Sequence, residues 1–341
     1  MAMKIDDRST HRQRPPPGPI LALPAAPDDS NEDCMPDLHP QRIAPRLREG
    51  LSREERRSFT HGEFWIPEAE REKYKRALQT LNHTGVPYVV AGAYAIHEYT
   101  GIYRETKDLD VFVEPEQVIA AARALREAGF TTRLEQAHWL AKAKLGEHFI
   151  DLIYGMGNGI ALIDREWYRY SAPAILAAIP VRVAPPEELI WHRLFISERH
   201  RQDMADIVHL ILCVGDQLDW RRLLEKAGPN WPLLLAQLQV YLYVYPHARD
   251  RVPNEILTEL LDRAREELEN PSTSLPEGTT RGTLISFFSF AIDVNEWGFR
   301  DLRAEQVRRM ERLPIIREIA TADVWDERAE PLEHFIRRIE S

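Results

Sequence analysis

A chain of 341 residues has room for about two domains, and its formal net charge of -10 argues against a surface given over wholly to nucleic acid. Its cysteines, Cys34 in a proline-rich segment and Cys213 in an apolar helical pattern, exclude a disulfide framework and a thiolate zinc site and fit a reducing compartment. No apolar core follows the charged start MAMKIDDRSTHRQR, and runs such as IVHLILCVG fall short of the roughly 20 residues of a membrane span, so the chain reads as soluble and cytosolic, with no membrane partner.

Residues 1–50 carry RPPPGPILALPAAPDDSNEDCMPDLHP, a proline-dense run without sustained period, which reads as a disordered leader. Order is predicted from LSREERRSF, where Ser52 and Glu55 have capping-box spacing. Pro67 then precedes an amphipathic helix, EAEREKYKRALQTLNHTG, that stops at Gly85. A short β-branched strand, VPYVVAG, meets a short helix, AYAIHEYTG, with Gly92 at the junction. After the strand DLDVFV, a helix starts on Pro115 and stops at Gly129. Strands are predicted at about 130–135 and 138–144, in HFIDLIYG, and near residue 180 in IPVRVA. From Pro186 the texture changes to long helical patterns, beginning with EELIWHRLFISERH and QDMADIVHLILCVGD. The predicted fold class is α/β (α+β): a mixed sheet with flanking helices over residues 51–185, then an all-helical domain over 186–341.

The stretch YRETKDLDVFV places two carboxylates on a strand that otherwise reads as buried. Side chains alternate along a strand, so Asp108 and Asp110 share one face while Leu109, Val111 and Val113 share the other. Adjacent like charges repel unless water or a cation intervenes. With Gly92 at a strand-to-helix turn and Asp151 among apolar residues on a later strand, the pattern points to a divalent-metal site. Magnesium takes hard oxygen ligands, and a glycine lets phosphates approach the amides that open a helix.

In VAGAYAIHEYTGIYRETKDLDVFV followed by FIDLIYG, the chain resembles the DNA polymerase β-like nucleotidyltransferase superfamily. The run Arg104, Thr106, Asp108, Asp110 is similar to the branch that includes the AbiEii-type toxins. The likeness spans roughly residues 75–215, with RHRQDMADIVHLI standing where that branch has an R-x-x-D-x-x-D-like run. It implies transfer of an NMP group from an NTP to a hydroxyl, with Mg²⁺ or Mn²⁺ as cofactor. Asp108, Asp110 and Asp151 would be catalytic metal ligands, with Asp151 helping to activate the acceptor. Gly92 and Ala93 would lie against the nucleotide, and Lys107 and Arg193 would contact phosphates. Arg104 would do the same or brace the loop against an acid, and Thr106 would fix the turn. Two positions depart from the family pattern: Ala93 stands for Gly or Ser, and Arg193 for Lys.

The acceptor stays open among RNA, protein and small molecule, and an antitoxin is left open as a partner. Two other readings stand beside this one: a binding module of the same fold without turnover, and a magnesium-dependent phosphohydrolase. His192 and His200, eight apart in one helical pattern, show no zinc spacing and read as surface or packing residues. RHRQD reads as a solvated helix face, and Tyr241, Tyr243 and Tyr245 as packing of the helical half. Asp203 and Asp206 read as residues that position helices or pair with an arginine.

Overall fold

The computed structural model describes residue 66 and residues 68–102, 104, 106, 108–199, 201–271 and 275–329. The leader, Cys34, Ser52, Glu55, Pro67, Lys107 and His200 lie outside the described residues. Helix α1 (Glu68–Thr84) is followed by β1 (Tyr88–Val90), α2 (Gly92–Thr100), β2 (Asp108–Val113) and α3 (Pro115–Glu127). Pro115 opens α3, where its missing N–H would have had no intrahelical partner. The chain continues through β3 (Thr131–Gln136), β4 (Leu140–Leu145) and β5 (His148–Ile153), antiparallel in sequence. A short helix α4 (Arg165–Arg169) leads to the hairpin of β6 (Ala172–Leu176) and β7 (Ile179–Val183). Neither α4 nor β6 stands out in the sequence: α4 is five residues long, and β6 interleaves half-buried and exposed positions.

The helical region begins with α5 (Pro186–Arg193), a hairpin of β8 (Ser197–Glu198) and β9 (Arg201–Gln202), and α6 (Met204–Val214). It continues through α7 (Trp220–Ala227), α8 (Trp231–Val244) and α9 (Asn254–Glu269). A strand pair, β10 (Thr279–Thr280) and β11 (Arg300–Asp301), brackets α10 (Gly282–Ile285) and α11 (Ala291–Asn295). Then come α12 (Leu302–Glu311), α13 (Pro314–Thr321) and β12 (Glu327–Arg328). The helical pattern read as continuous to residue 200 therefore stops at Arg193. Local contacts close the hairpin instead: the Asp203 amide donates back to the Ile196 carbonyl and Arg201 grips Asp203. Tyr241 is fully buried and donates to the Ala248 carbonyl, while Tyr243 stands in solvent.

Eight strands form one mixed sheet in the order β12-β3-β4-β5-β2-β1-β7-β6. The pairs β1/β7, β2/β5 and β3/β12 are parallel and the other neighbours antiparallel. On β2 the inner set Leu109, Val111 and Val113 is buried at 0–1% exposure. Burying three such side chains stabilises the fold by roughly 1.5–3 kcal/mol each. The other face carries Asp108, Asp110 and Phe112, and Phe112 packs on Trp167 of α4 and His192 of α5, with centroids 5.0 and 5.6 Å apart. The aromatic packing covers one end of that face and leaves the carboxylate end beside the turn from β1 into α2.

Candidate active site

The site starts at the turn between β1 and α2. The Ala91 amide donates to the Asp110 carbonyl at 3.0 Å, which ties the turn to β2. Gly92 has φ +59°, and a Cβ there would lie 1.8 Å from Asp110 Oδ2 and 2.8 Å from its Cγ. Two separate demands thus call for glycine: a left-handed backbone and a carboxylate resting on its Cα. Ala93 follows as a buried residue in the first turn of α2, where the helix amides have no intrahelical acceptor.

Strand register assembles the acids. On the parallel pair β2/β5, Asp110 lies opposite Asp151 and Asp108 opposite Phe149, so all three aspartates share one face. Neighbouring strands are about 4.8 Å apart and alternate residues on one strand about 6.6 Å, which sets the scale of the cluster. Asp108 is oriented by the Thr106 hydroxyl, which donates to its Oδ1 at 2.7 Å. Burial, then the charges of Asp108 and Asp151, push the Asp110 carboxyl up to about 7, against the pull of Arg201 and Arg193. Asp151 is also raised: burial outweighs the pull of Lys142.

Lys142, opposite Asp151 on β4, donates to both Asp151 oxygens, at 2.8 and 2.9 Å. Among the described residues, no group of three or more His, Cys, Asp or Glu is arranged to hold a metal ion. Asp151, the third member of the expected ligand set, is engaged by an ammonium. What remains is a pair, Asp108 and Asp110, with a repulsion that a cation would relieve. Magnesium is commonly held by one or two carboxylates together with substrate phosphates and water, and the pair fits that pattern.

The basic residues are placed differently from their sequence expectation. Arg193 is 4% exposed, and its Nε donates to Asp206 at 3.1 Å and lies 3.7 Å from Asp203. Its Nη1 donates to the Leu189 carbonyl, and its Nη2 reaches the Gly92 carbonyl at 3.5 Å. The guanidinium expected to contact phosphates is occupied here as a strut between α5, α6 and the glycine turn. Arg104 grips Asp206 through two hydrogen bonds of 3.1 and 3.0 Å, the bracing arrangement among the roles expected of it. Burial disfavours ionised Asp203, but the hydrogen bonds and charge of Arg201, with Arg193, hold it below the usual carboxylate range.

Two residues of this constellation escape sequence patterning, Lys142 and Arg201. The signal for Lys142 was a lysine at alternating positions in the half-buried strand LAKAKL. Arg201 lies in the run read as a helix face, yet its charge reaches Asp110 from the β8/β9 hairpin. A cavity of about 740 Å³, lined in part by Arg71, Lys75, Val90, His97 and Val181, includes none of the three aspartates. Val90 pairs with Val111, so that cavity opens on the opposite face of the sheet.

The chain matches no family model and no curated protein. Its structure is loosely similar to several solved structures. A solution structure of the antibiotic-resistance factor ANT(2'')-Ia aligns with a TM-score of 0.37 at 16% identity, over 52% of this chain and 99% of that one. Lincomycin-bound LnuA, a lincosamide antibiotic adenylyltransferase, aligns at 0.32 and 15% identity, over 42% of this chain and 96% of its own. JHP933 from Helicobacter pylori aligns at 0.31 and 11% identity, over 61% and 100% of the two chains. At these scores the likeness is loose and carries nothing about substrate.

Proposed function

We propose that the chain is a divalent-metal-dependent nucleotidyltransferase, moving an NMP group from an NTP to a hydroxyl acceptor with release of pyrophosphate. The observation that carries this reading is the Asp110 carboxylate resting on the Cα of Gly92, with Asp108 beside it and Asp151 across the strand pair. A glycine-opened helix and a carboxylate pair are thus built as one unit, which suits a triphosphate on the amides of α2 and a cation on the acids. Bound magnesium or manganese would supply charge neutralisation for the phosphates and for Asp108 and Asp110.

The chain's own residues do the rest by position. Thr106 holds Asp108 in one orientation. Arg193 fixes the Gly92 carbonyl and so the pitch of the turn. Asp151, held by Lys142, keeps lone pairs to accept a hydrogen bond from the acceptor hydroxyl. As the acceptor oxygen bonds to the α-phosphorus, the bond to pyrophosphate breaks and the hydroxyl proton passes to Asp151. In this reading residues 51–185 form the catalytic part and residues 186–341 the other wall of the cleft.

The test is incubation with each labelled NTP, magnesium, and total cellular RNA and protein, comparing wild type with Asp108→Asn. Label carried to a macromolecule by wild type alone supports transfer and identifies the acceptor as RNA or protein. Pyrophosphate without a labelled macromolecule points to a small-molecule acceptor. Free phosphate instead overturns transfer in favour of hydrolysis. A second reading, nucleotide binding without turnover, is favoured by one observation, the engagement of Asp151 by Lys142. Nucleotide binding with neither pyrophosphate nor label transfer would establish it.

A further inference from the structure

We infer that Lys142 keeps Asp151 out of the metal's ligand shell, so that the ion binds on Asp108 and Asp110 alone and a lysine ammonium takes the place of a metal contact at the third carboxylate. This rests on the reading of the cleft as a metal-dependent nucleotidyltransferase site. Lys142 and Asp151 are register partners on adjacent strands, so the pairing is built into the sheet. The ammonium lies within 2.9 Å of both carboxylate oxygens, and the two side chains are 24% and 10% exposed. The lysine nitrogen also stands 5.4 Å from the centre of the Phe149 ring, which lies on the same face beside Asp151.

A carboxylate with both oxygens donated to by a half-buried ammonium has little to offer a second cation. Drawing Asp151 onto the ion would break two charge-assisted hydrogen bonds and bring a lysine against a divalent charge. Among the described residues neither Asp108 nor Asp110 is paired with an ammonium: Asp108 accepts from a neutral hydroxyl, and Asp110 rests on a glycine, with Arg201 and Arg193 acting on it through their charge. Lys142 is therefore a positioning residue. It holds the Asp151 carboxylate in place through both oxygens.

The experiment is titration of the full chain with Mn²⁺ alone, following free Mn²⁺ by its paramagnetic resonance signal. Wild type is expected to bind one ion per chain, Asp110→Asn to weaken binding roughly tenfold or more, and Asp151→Asn to change it by less than about twofold. Lys142→Met and Lys142→Gln release Asp151, so each is expected to tighten Mn²⁺ binding by about fivefold or more or to add a second ion. Melting with and without Mn²⁺ gives a parallel measure: the metal-dependent rise in Tm should be larger in both Lys142 variants than in wild type. The proposal is overturned if Asp151→Asn weakens Mn²⁺ as much as Asp110→Asn does, if both Lys142 variants titrate like wild type, or if wild type binds no Mn²⁺. Titrations that behave as expected while no NTP is turned over would overturn the enzymatic reading and leave the ligand assignment intact.

Discussion

Asp110 and Gly92 are in contact so close that a methyl group on the glycine would sit 1.8 Å from the carboxylate oxygen. The acid and the turn cannot be varied independently. Gly92→Ala is expected to cost about 1–3 kcal/mol from the left-handed backbone. The clash falls on the Asp110 carboxylate itself, so Mn²⁺ affinity and NTP turnover should fall further than stability does. Parallel melts and metal titrations of this variant check the split.

The Asp110 carboxyl, raised to about 7 from an ordinary 3.8, gives a pH dependence of definite sign. The folded state holds that proton more tightly than the unfolded chain, so its contribution to stability is fully present below 3.8 and is lost as pH rises toward 7. In divalent-free buffer, Asp110→Asn should therefore be more stable than wild type at pH 8 and nearly equal to it at pH 4. Urea denaturation at both pH values measures the difference. Equal midpoints at pH 8 would contradict the electrostatic account.

Arg193 holds Asp206 and approaches Asp203 while almost fully buried. Arg193→Ala leaves both acids facing an empty space and is expected to destabilise the fold by about 3–5 kcal/mol. Arg104 and Arg201 still hold Asp206 and Asp203, which puts the expectation at the lower end of that range. Arg193→Lys keeps the charge but not the planar fork, so it should fold and lose the link to the Gly92 carbonyl. Its signature would be near-normal melting with impaired turnover.

Thr106 donates to Asp108, and Thr106→Val removes the hydroxyl with little change of shape. A hydrogen bond to a charged group contributes roughly 1.5–3 kcal/mol. The loss is expected mainly as weaker Mn²⁺ binding, about tenfold for the lower figure, with a smaller change in melting. A titration matching wild type would show that Asp108 is oriented by something else.

Periodicity and turn chemistry carry much of this protein. Alternation in DLDVFV puts Asp108 and Asp110 together, Gly92 marks the turn, and Pro115 and Gly129 bound a helix, because each depends on neighbours a few residues away. The extent of α5 is harder to read, since no residue between Arg193 and Arg201 breaks a helix outright, although the contact that closes the hairpin there, Arg201 on Asp203, is a local one. In the sheet, which acid meets which base is beyond local pattern. Lys142 reaches Asp151 because β4 lies beside β5 in a particular register, and Arg193 reaches the Gly92 carbonyl across 101 residues. Strand order and register are settled by the packing of the whole sheet, and a shift of one residue would turn Asp151 to the other face. The sequence alone therefore determined which residues carry the charge, and only the tertiary structure decided that one of the three acids would face a lysine.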